Sequence, residues 1–166
     1  MAQDEQGWSA DRFVVIPRTL IFIFNGTDVL LLKGAATKRL WAGRYNGVGG
    51  HIEAGEDVLG SGRRELLEET GLRVPDLWLC GVVMVPVDSQ RGIAMYILKG
   101  HYAGGDLVDS REGHLDWISC AAVDRYDMVD DLRTLLPLLV KMKPGEPPFS
   151  ARYAYDEKGQ LQIYFS

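Results

Sequence analysis

The sequence predicts a mixed α/β layer fold with one well-marked helix that follows a glycine-rich loop. Apolar segments rich in β-branched and aromatic residues alternate with polar turns, a pattern typical of strands. One segment, Glu56–Thr70, has helical spacing and precedes Gly71, a residue type that commonly ends helices. The chain has 166 residues, of which 46% are hydrophobic and 25% are charged. This composition excludes a disordered chain, and we expect one domain over residues 1–166.

The first half of the chain is expected to form a hairpin and then the glycine-rich loop. Phe13–Phe24 is rich in β-branched and aromatic residues and predicts a strand. Asn25-Gly26 is typical of a tight turn, so Val29–Lys33 is expected to be the returning strand. After a further loop, Asn46–Ala54 is dense in glycine and leads into the predicted helix.

The second half is expected to add strands, a second helix and a closing hairpin. Leu132–Lys143 predicts a helix, and we expect Pro137 to break or kink it unless this proline lies in the first turn. The segments that predict strands by their apolar and β-branched content are Leu77–Val87, Ile93–Tyr102, Leu115–Ser119, Tyr153–Tyr155 and Leu161–Phe165.

The charge balance narrows the classes of partner. The chain has 18 Lys and Arg residues against 23 Asp and Glu, a net charge of −5. We expect no nucleic-acid polymer as a partner, because counterion release needs an excess of basic side chains. A small phosphate ligand remains compatible with this charge if a divalent cation lies between it and the protein. The polar N-terminus and the short apolar runs predict a cytoplasmic protein without a membrane contact.

Three carboxylates share one face of the predicted first helix. Glu65, Glu68 and Glu69 stand at positions i, i+3 and i+4, which bring side chains to the same side. Carboxylates so close repel one another unless a cation neutralises them, and oxygen ligands suit Mg²⁺ or Mn²⁺. A solvated acidic surface is the alternative interpretation. The apolar residues expected to anchor the opposite side of the helix to a sheet are Val58, Leu59, Leu66 and Leu67.

The glycine-rich loop strengthens the cation hypothesis. Gly47, Gly49 and Gly50 allow a sharp turn and a close approach of backbone groups to an ion or a phosphate. The helix that follows offers free N–H groups and the positive end of its dipole. A phosphate ligand is therefore expected near the junction of loop and helix.

The spacing of these residues resembles a known signature. Gly50, Glu56 and the run Arg64–Leu72 (Arg-Glu-Leu-Leu-Glu-Glu-Thr-Gly-Leu) resemble the complete signature box of the Nudix hydrolases over residues 50–72. The resemblance implies an α/β/α sandwich around a mixed sheet and a loop–helix–loop that holds a divalent metal. It also implies hydrolysis of a diphosphate linkage attached to another moiety, usually a nucleoside.

The resemblance assigns roles to the box residues by position. Glu68 and Glu69 would be metal ligands, and Glu65 would be a ligand or the group that activates water. Gly50, or Gly49 beside it, would offer a backbone carbonyl to the metal. Mg²⁺ is the expected cofactor, with Mn²⁺ as the alternative.

Further residues complete the catalytic set that the resemblance implies. Arg64 would orient the neighbouring glutamate, and Glu56 would brace the loop. Relatives often take another ligand or base from a later loop, and Glu112 is our candidate because it directly precedes a predicted strand. Asp109 and Asp116 are its rivals, and a solvated loop acid is the alternative for Glu112.

The segment Trp41–Gly50 is similar to the branch that hydrolyses oxidised purine nucleoside triphosphates such as 8-oxo-dGTP. In that branch an asparagine at the place of Asn46 binds the base, and an acidic pair at the place of Asp130 and Asp131 reads the purine edge. The alternative for Asn46 is a turn residue, and the alternative for the acidic pair is a helix cap. One departure is that Met128 stands where enzymes of the branch have a tryptophan that stacks on the base.

Stacking on the base would then come from another ring, with Trp41 and Tyr45 as candidates. Arg44, together with Lys33, Lys38 and Arg39, precedes the box and is a candidate contact for a triphosphate tail. The alternative interpretation is that these cations belong to a solvated loop and bind no ligand.

Three other expectations remain open from the sequence. An ADP-ribose or other nucleoside diphosphate sugar hydrolase is the rival activity, because a proline downstream of the box, here Pro86, is a feature of that group. A nucleotide-sensing module without catalysis is the rival class. Gly60 and Gly62 lie inside the helix where many relatives have alanine, and their missing side chains are expected to let a neighbouring segment approach. A monomer and a homodimer are equally compatible with the sequence.

Overall fold

The computed structural model describes residues 7, 9, 11–37 and 40–166. Lys38 and Arg39, candidate phosphate contacts, lie outside the described residues. The strands are β1 (Val14–Asn25), β2 (Asp28–Gly34), β3 (Tyr45–Asn46), β4 (Trp78–Pro86), β5 (Arg91–His101), β6 (Gly113–Ser119), β7 (Phe149–Tyr155) and β8 (Leu161–Phe165). The helices are α1 (Val58–Thr70) and α2 (Leu132–Lys141), with a short 3₁₀ helix over Cys120–Arg125.

The strands form one mixed sheet. Its order is β3-β2-β1-β5-β4-β7-β8, and β6 pairs with β2. The β1–β5 and β4–β7 pairs are parallel, whereas the remaining pairs are antiparallel. β1 is central, and it pairs with β5 from Val14 opposite Arg91 to Phe24 opposite His101. The predicted hairpins at the two ends of the chain are both present.

The two faces of β1 carry separate apolar clusters because successive side chains point to opposite sides of a strand. Phe22 is fully buried in a cluster with Leu135 and other leucines of α2. Ile21 and Ile23 are buried in a second cluster with Leu66 of α1. The two helices therefore cover opposite faces of the sheet, and the predicted α/β/α sandwich is confirmed.

α1 ends where the sequence predicts and begins two residues later. Gly71 has a φ of 77° and its N–H donates to the Leu67 carbonyl, which is the expected glycine stop. The start at Val58, rather than at Glu56, follows from the cap. The Asp57 side chain accepts a hydrogen bond of 2.8 Å from the Gly60 N–H.

α1 packs closely on β5 at one of its two glycines. A Cβ on Gly62 would lie 2.4 Å from Leu98 Cδ1, so the close approach expected there is confirmed. At Gly60 that expectation is wrong, because a Cβ there would meet only the Asp57 side chain, at 3.5 Å. Leu67, expected to anchor the helix, is half-buried and does not join the cluster around Leu66.

The expected break at Pro137 is absent. α2 is continuous over ten residues, and this proline lies in its interior rather than in its first turn. Pro137 is exposed, so the carbonyl that loses its partner can bind water. Leu135 and Leu139 are fully buried on the other side and hold the helix on the sheet.

Across the described part of the chain, no helix has the length and hydropathy that crossing a bilayer would require.

Candidate active site

The glycine-rich loop lies along β1 and is joined to it by backbone hydrogen bonds. Val48 and Ile21 exchange two such bonds, and the Thr19 N–H donates to the Gly50 carbonyl at 2.9 Å. Gly49 has a φ of 143°, and a Cβ there would lie 2.3 Å from the Thr19 carbonyl oxygen. Only glycine allows the loop to run this close to the strand.

α1 brings two of the three predicted carboxylates against this loop. Glu69 is 8% exposed, and its Oε2 accepts a hydrogen bond of 3.1 Å from the Gly49 N–H. The Glu65 carboxylate lies against Gly50, since a Cβ on that glycine would be 2.5 Å from Glu65 Oε1. The side chain of Glu68 is more than half exposed. The alternative of a solvated helix face therefore applies only to Glu68.

Arg64 links the helix carboxylates to the loop. Its guanidinium donates two hydrogen bonds to Glu56, of 2.6 and 2.9 Å, and this pairing lowers the pKa of Glu56 to about 2. The Nη1 atom also donates to Glu65 at 2.8 Å and to Glu68 at 3.2 Å. The Glu53 N–H donates to Glu56 at 3.0 Å. These contacts fit the roles predicted for Arg64 as an orienting group and Glu56 as a brace.

The carboxylates suit a hard divalent cation by donor type but are not gathered around one point. Among the described residues, no group of three His, Cys, Asp or Glu side chains is arranged to hold a metal ion. Glu65 and Glu68 converge on one nitrogen of Arg64, while Glu69 is turned toward the loop. Both carboxylates lie within hydrogen-bond distance of the same Arg64 nitrogen, so both can also approach one divalent cation if their side chains rotate away from Arg64. Their oxygen atoms are the donors that such a cation prefers, so the residues present fit a divalent metal. The Gly50 carbonyl accepts one backbone N–H and retains a second lone pair.

A cavity of about 410 Å³ joins α1 to the predicted substrate residues. Glu69 lines it together with all five residues expected to bind substrate, which are Trp41, Arg44, Asn46, Asp130 and Asp131. Apolar and aromatic side chains of the sheet form much of the remaining wall, among them Leu20, Val85, Ile93, Met95, Tyr153 and Tyr155.

Asp131 is a buried carboxylate in the cavity wall. It occupies the cap position of α2 but makes no side-chain capping bond, so the helix-cap alternative fails for this residue. Its Oδ2 instead accepts a hydrogen bond of 2.8 Å from the Tyr153 hydroxyl. Burial raises the pKa of Asp131 and also that of Tyr153. The tyrosine therefore fixes one oxygen of the carboxylate.

Arg44 joins the two loops that close the cavity. It donates to Asp130 at 2.7 Å, to Asp127 at 3.2 Å and to the Met128 carbonyl. The hydrogen bond to Asp130 is the largest reason that the pKa of Arg44 is raised. Its guanidinium also lies 5.5 Å from the ring centroid of Trp41. A contact with a triphosphate tail, as predicted for Arg44, would compete with these carboxylates.

The structure separates the two rings that were candidates for stacking. Tyr45 is buried, and its hydroxyl donates to Asp116 at 2.7 Å while its ring meets Tyr126 edge-on. Trp41 is one of the described residues that line the cavity, and Tyr45 is not. Trp41 has a φ of 62°, a backbone conformation that costs free energy in a residue other than glycine. Asn46 lines the cavity, and its Oδ1 accepts a hydrogen bond of 2.8 Å from the Gly47 N–H, as expected of a turn residue. Its contact with a base stays a prediction.

Glu112 lies in the turn that precedes β6. Its carbonyl accepts from the Ala35 N–H at 2.9 Å, which ties this turn to the end of β2. Asp109 pairs with His114 at 2.6 Å, and Asp116 is bonded to the hydroxyl described above. None of the three acids is among the described residues that line the cavity. The role of Glu112 as ligand or base stays a prediction.

Sequence reasoning missed several cavity residues, and those with polar side chains include Arg18, Thr19 and Tyr153. Arg18 and Thr19 of β1 line the cavity, and the buried Thr19 hydroxyl has no hydrogen-bond partner among the residues that the structure describes. Tyr153 reaches it from β7. The signal for the first two was present, because Arg18-Thr19 interrupts an otherwise apolar strand. Nothing local in the sequence distinguishes Tyr153 from the other tyrosines.

A comparison with known protein families shows which family the chain belongs to. Residues 15–139 match the model of the NUDIX domain. The chain belongs to the Nudix hydrolase family. Enzymes of this family generally use divalent metal ions, and the signature expected over residues 50–72 falls on the glycine-rich loop and α1 of this Nudix hydrolase.

Curated relatives of this Nudix hydrolase include enzymes named oxidized purine nucleoside triphosphate hydrolase. The Mus musculus enzyme is 31% identical over 147 residues, which are 88% of this chain and 90% of the relative. The Danio rerio enzyme is 29% identical over 126 residues, which are 75% and 80%. A solved MutT protein from Bacillus halodurans superposes with a TM-score of 0.76 at 21% identity, covering 91% of this chain and 97% of that one. The last comparison shows the shared fold.

Proposed function

We propose that this Nudix hydrolase is a divalent-metal-dependent pyrophosphohydrolase. Its substrate would be a purine nucleoside triphosphate such as 8-oxo-dGTP, cleaved to the monophosphate and pyrophosphate. The observation that carries this proposal is the cavity, because Asn46, Asp130 and Asp131 line it together with Glu69. Its volume of about 410 Å³ is in the usual range of small-molecule sites. The names of the mouse and zebrafish relatives support the same substrate class.

The base end of the substrate lies among polar groups of two distant segments. The amide of Asn46 can both donate and accept, which suits the carbonyl and N–H groups of a purine edge. Asp131 presents its second oxygen while Tyr153 holds the first. Trp41 offers a ring face for stacking at the mouth of the cavity. A base bound in this way directs its phosphates toward Glu69 and α1.

The residues that would hold Mg²⁺ or Mn²⁺ are Glu65, Glu68 and Glu69, with the Gly50 carbonyl and Glu112 as further ligands. When bound, the divalent ion neutralises charge on the diphosphate and lowers the pKa of a coordinated water.

The protein's own groups position the reaction and accept a proton. Water attacks the α- or the β-phosphorus, and the anhydride P–O bond between them breaks. The bonding electron pair goes to the leaving group, which is pyrophosphate after attack on the α-phosphorus and the monophosphate after attack on the β-phosphorus. The proton of the attacking water passes to a carboxylate, for which Glu65 is the first candidate and Glu112 the second. Arg64 donates to Glu65 Oε1 at 2.8 Å and so fixes the direction of its lone pairs. Positioning and neutralisation, rather than covalent catalysis, are what this site supplies.

A substrate panel with product analysis tests the proposal. The panel contains 8-oxo-dGTP, the four ordinary deoxynucleoside triphosphates and ADP-ribose, each with Mg²⁺. We expect pyrophosphate and monophosphate from a purine triphosphate, with the highest kcat/KM for an oxidised purine. Preferred cleavage of ADP-ribose to two monophosphates would replace the proposal with the nucleoside diphosphate sugar activity. Binding of nucleotides without turnover of any would replace it with the sensing module.

The variant Asn46→Ala examines base recognition within the same panel. We expect its KM to rise more for oxidised purine triphosphates than for pyrimidine triphosphates, because the lost amide contacts a purine edge. An equal rise for both classes would remove Asn46 from base recognition. Arg73→Gln, at an exposed position outside the cavity, is the control that should leave every KM unchanged.

A further inference from the structure

The charged groups of the cavity are unevenly paired. Among the described residues, two cations and three acids line it, which are Arg18, Arg44, Glu69, Asp130 and Asp131. Arg44 is engaged by Asp130 at 2.7 Å and by a second aspartate on the same loop. In the part of the chain that the structure describes, the Arg18 side chain makes no hydrogen bond or ion pair with any acid. Arg18 therefore retains its charge for a ligand.

The backbone of Arg18 places this charge beside the catalytic loop. Arg18 forms a bridge to His51, the residue that follows the last glycine of the loop, and lies opposite Met95 of β5. Neither cross-strand neighbour is an acid, so the register brings no carboxylate to pair with the guanidinium. Arg18 and Leu20 are two residues apart on β1 and so point to the same face of the sheet, and both line the cavity.

Two backbone bridges between the loop and β1 give the position of Arg18 along the strand. The loop is antiparallel to β1, with Val48 bridged to Ile21 and His51 bridged to Arg18. Three residues of extended strand span about 10 Å, so Arg18 lies roughly that far along β1 from the Val48 bridge. Val48 stands two residues after Asn46, the residue proposed to contact the base. Arg18 therefore lies on the side of a base held by Asn46 toward which the sugar and the first phosphate extend. The same register keeps Arg18 level with the loop that precedes α1.

We infer that Arg18 binds the phosphate attached to the nucleoside, the one that is retained in the monophosphate product. This inference rests on the proposed function and adds a substrate-binding residue to it. The planar guanidinium fork matches two phosphate oxygens, and an ion pair inside a partly closed cavity is screened less than one at the surface. Arg18 also offsets repulsion between the phosphate and the nearby acids of the cavity. The contact requires no metal, which separates it from the role of the α1 glutamates.

Calorimetric titration in EDTA tests this inference with ligands that cannot turn over. The ligands are 8-oxo-dGMP and the matching nucleoside 8-oxo-deoxyguanosine, and the proteins are wild type, Arg18→Gln, Arg18→Lys and Arg73→Gln. We expect wild type and Arg73→Gln to bind the monophosphate at least about tenfold more tightly than the nucleoside. Arg18→Gln should lose most of this preference while its affinity for the nucleoside stays the same. Arg18→Lys should keep part of it, since the charge remains but the fork is lost.

The possible results distinguish the role of Arg18 from the proposed function of the cavity. An undiminished preference for the monophosphate in Arg18→Gln would overturn the inference and leave the proposed function intact. A loss of nucleoside and monophosphate binding in equal measure would also overturn it, because the residue would then act on the cavity as a whole. Failure of the wild type to bind either ligand in EDTA would also overturn the inference, because the Arg18 contact requires no metal, and the substrate panel in Mg²⁺ decides the proposed function separately. If Arg18→Gln does not fold, the reduced preference of Arg18→Lys decides.

Discussion

Replacing Gly50 by alanine tests whether the position of the Glu65 carboxylate controls the chemistry. The new Cβ would lie 2.5 Å from Oε1, 2.6 Å from Cδ and 2.8 Å from Oε2 of that glutamate. Ordinary van der Waals contact begins at 3.4 Å, so the carboxylate has to withdraw by about 1 Å. A displacement of this size in a reacting group can cost about 100-fold in rate. The φ of Gly50 is not in the left-handed region, so the substitution adds bulk without backbone strain.

The assay compares kcat for triphosphate hydrolysis in Gly50→Ala and in Gly60→Ala. The added Cβ in Gly60→Ala meets only the Asp57 side chain, at 3.5 Å, so the control should keep wild-type kcat. It should also be more stable by about 0.5–1 kcal/mol, because alanine is the better helix former. Thermal unfolding verifies that both variants fold. A wild-type kcat in folded Gly50→Ala would refute the assignment of Glu65 to the reaction.

Three further predictions concern individual acids of the site. Glu69→Gln and Glu68→Gln should each lower kcat by orders of magnitude with the fold retained, and near-wild-type rates in Mg²⁺ would contradict their role as ligands. Asp131→Asn should unfold at a higher temperature than wild type near neutral pH yet bind purine nucleotides more weakly. Burial raises the pKa of Asp131, so the folded state loses stability as pH rises from the ordinary carboxyl pKa through the raised one, and asparagine has no such charge to bury. An unchanged or lower midpoint at neutral pH would count against this reasoning. The pKa of Glu56 is lowered to about 2, so its stabilising pair with Arg64 is complete above the ordinary value of 4.5 and is lost as pH falls between them. Glu56→Gln should flatten the acid-induced fall of the unfolding midpoint in that window, and a parallel curve would show that the pair contributes nothing.

Features that depend on near neighbours in the chain could be predicted from the sequence. The three glutamates share a helix face because of their spacing alone, and Gly71 ends α1 because a left-handed residue is needed there. The hairpin turn after β1 follows from its own residues in the same way. Local sequence therefore specified the carboxylate-bearing helix and most of the strands.

Features that depend on distant segments could not be predicted in the same way. The bond between Tyr153 and Asp131 and the bond between Arg44 and Asp130 join residues 22 and 86 positions apart. No periodicity encodes such a pair, because it exists only after the sheet has brought β7, α2 and the loop together. Pro137 shows the same limit, since burial of the apolar side of α2 outweighs the local preference for a break.

The most direct test of the central claim is a crystal structure with Mg²⁺ and a non-hydrolysable α,β-imido analogue of 8-oxo-dGTP. The base is expected against Asn46 and Asp131, with the triphosphate beside Glu69 and at least one ion bound by the α1 glutamates. A nucleotide bound outside this cavity, or glutamates that still pair only with Arg64 while the nucleotide is in place, would contradict the account.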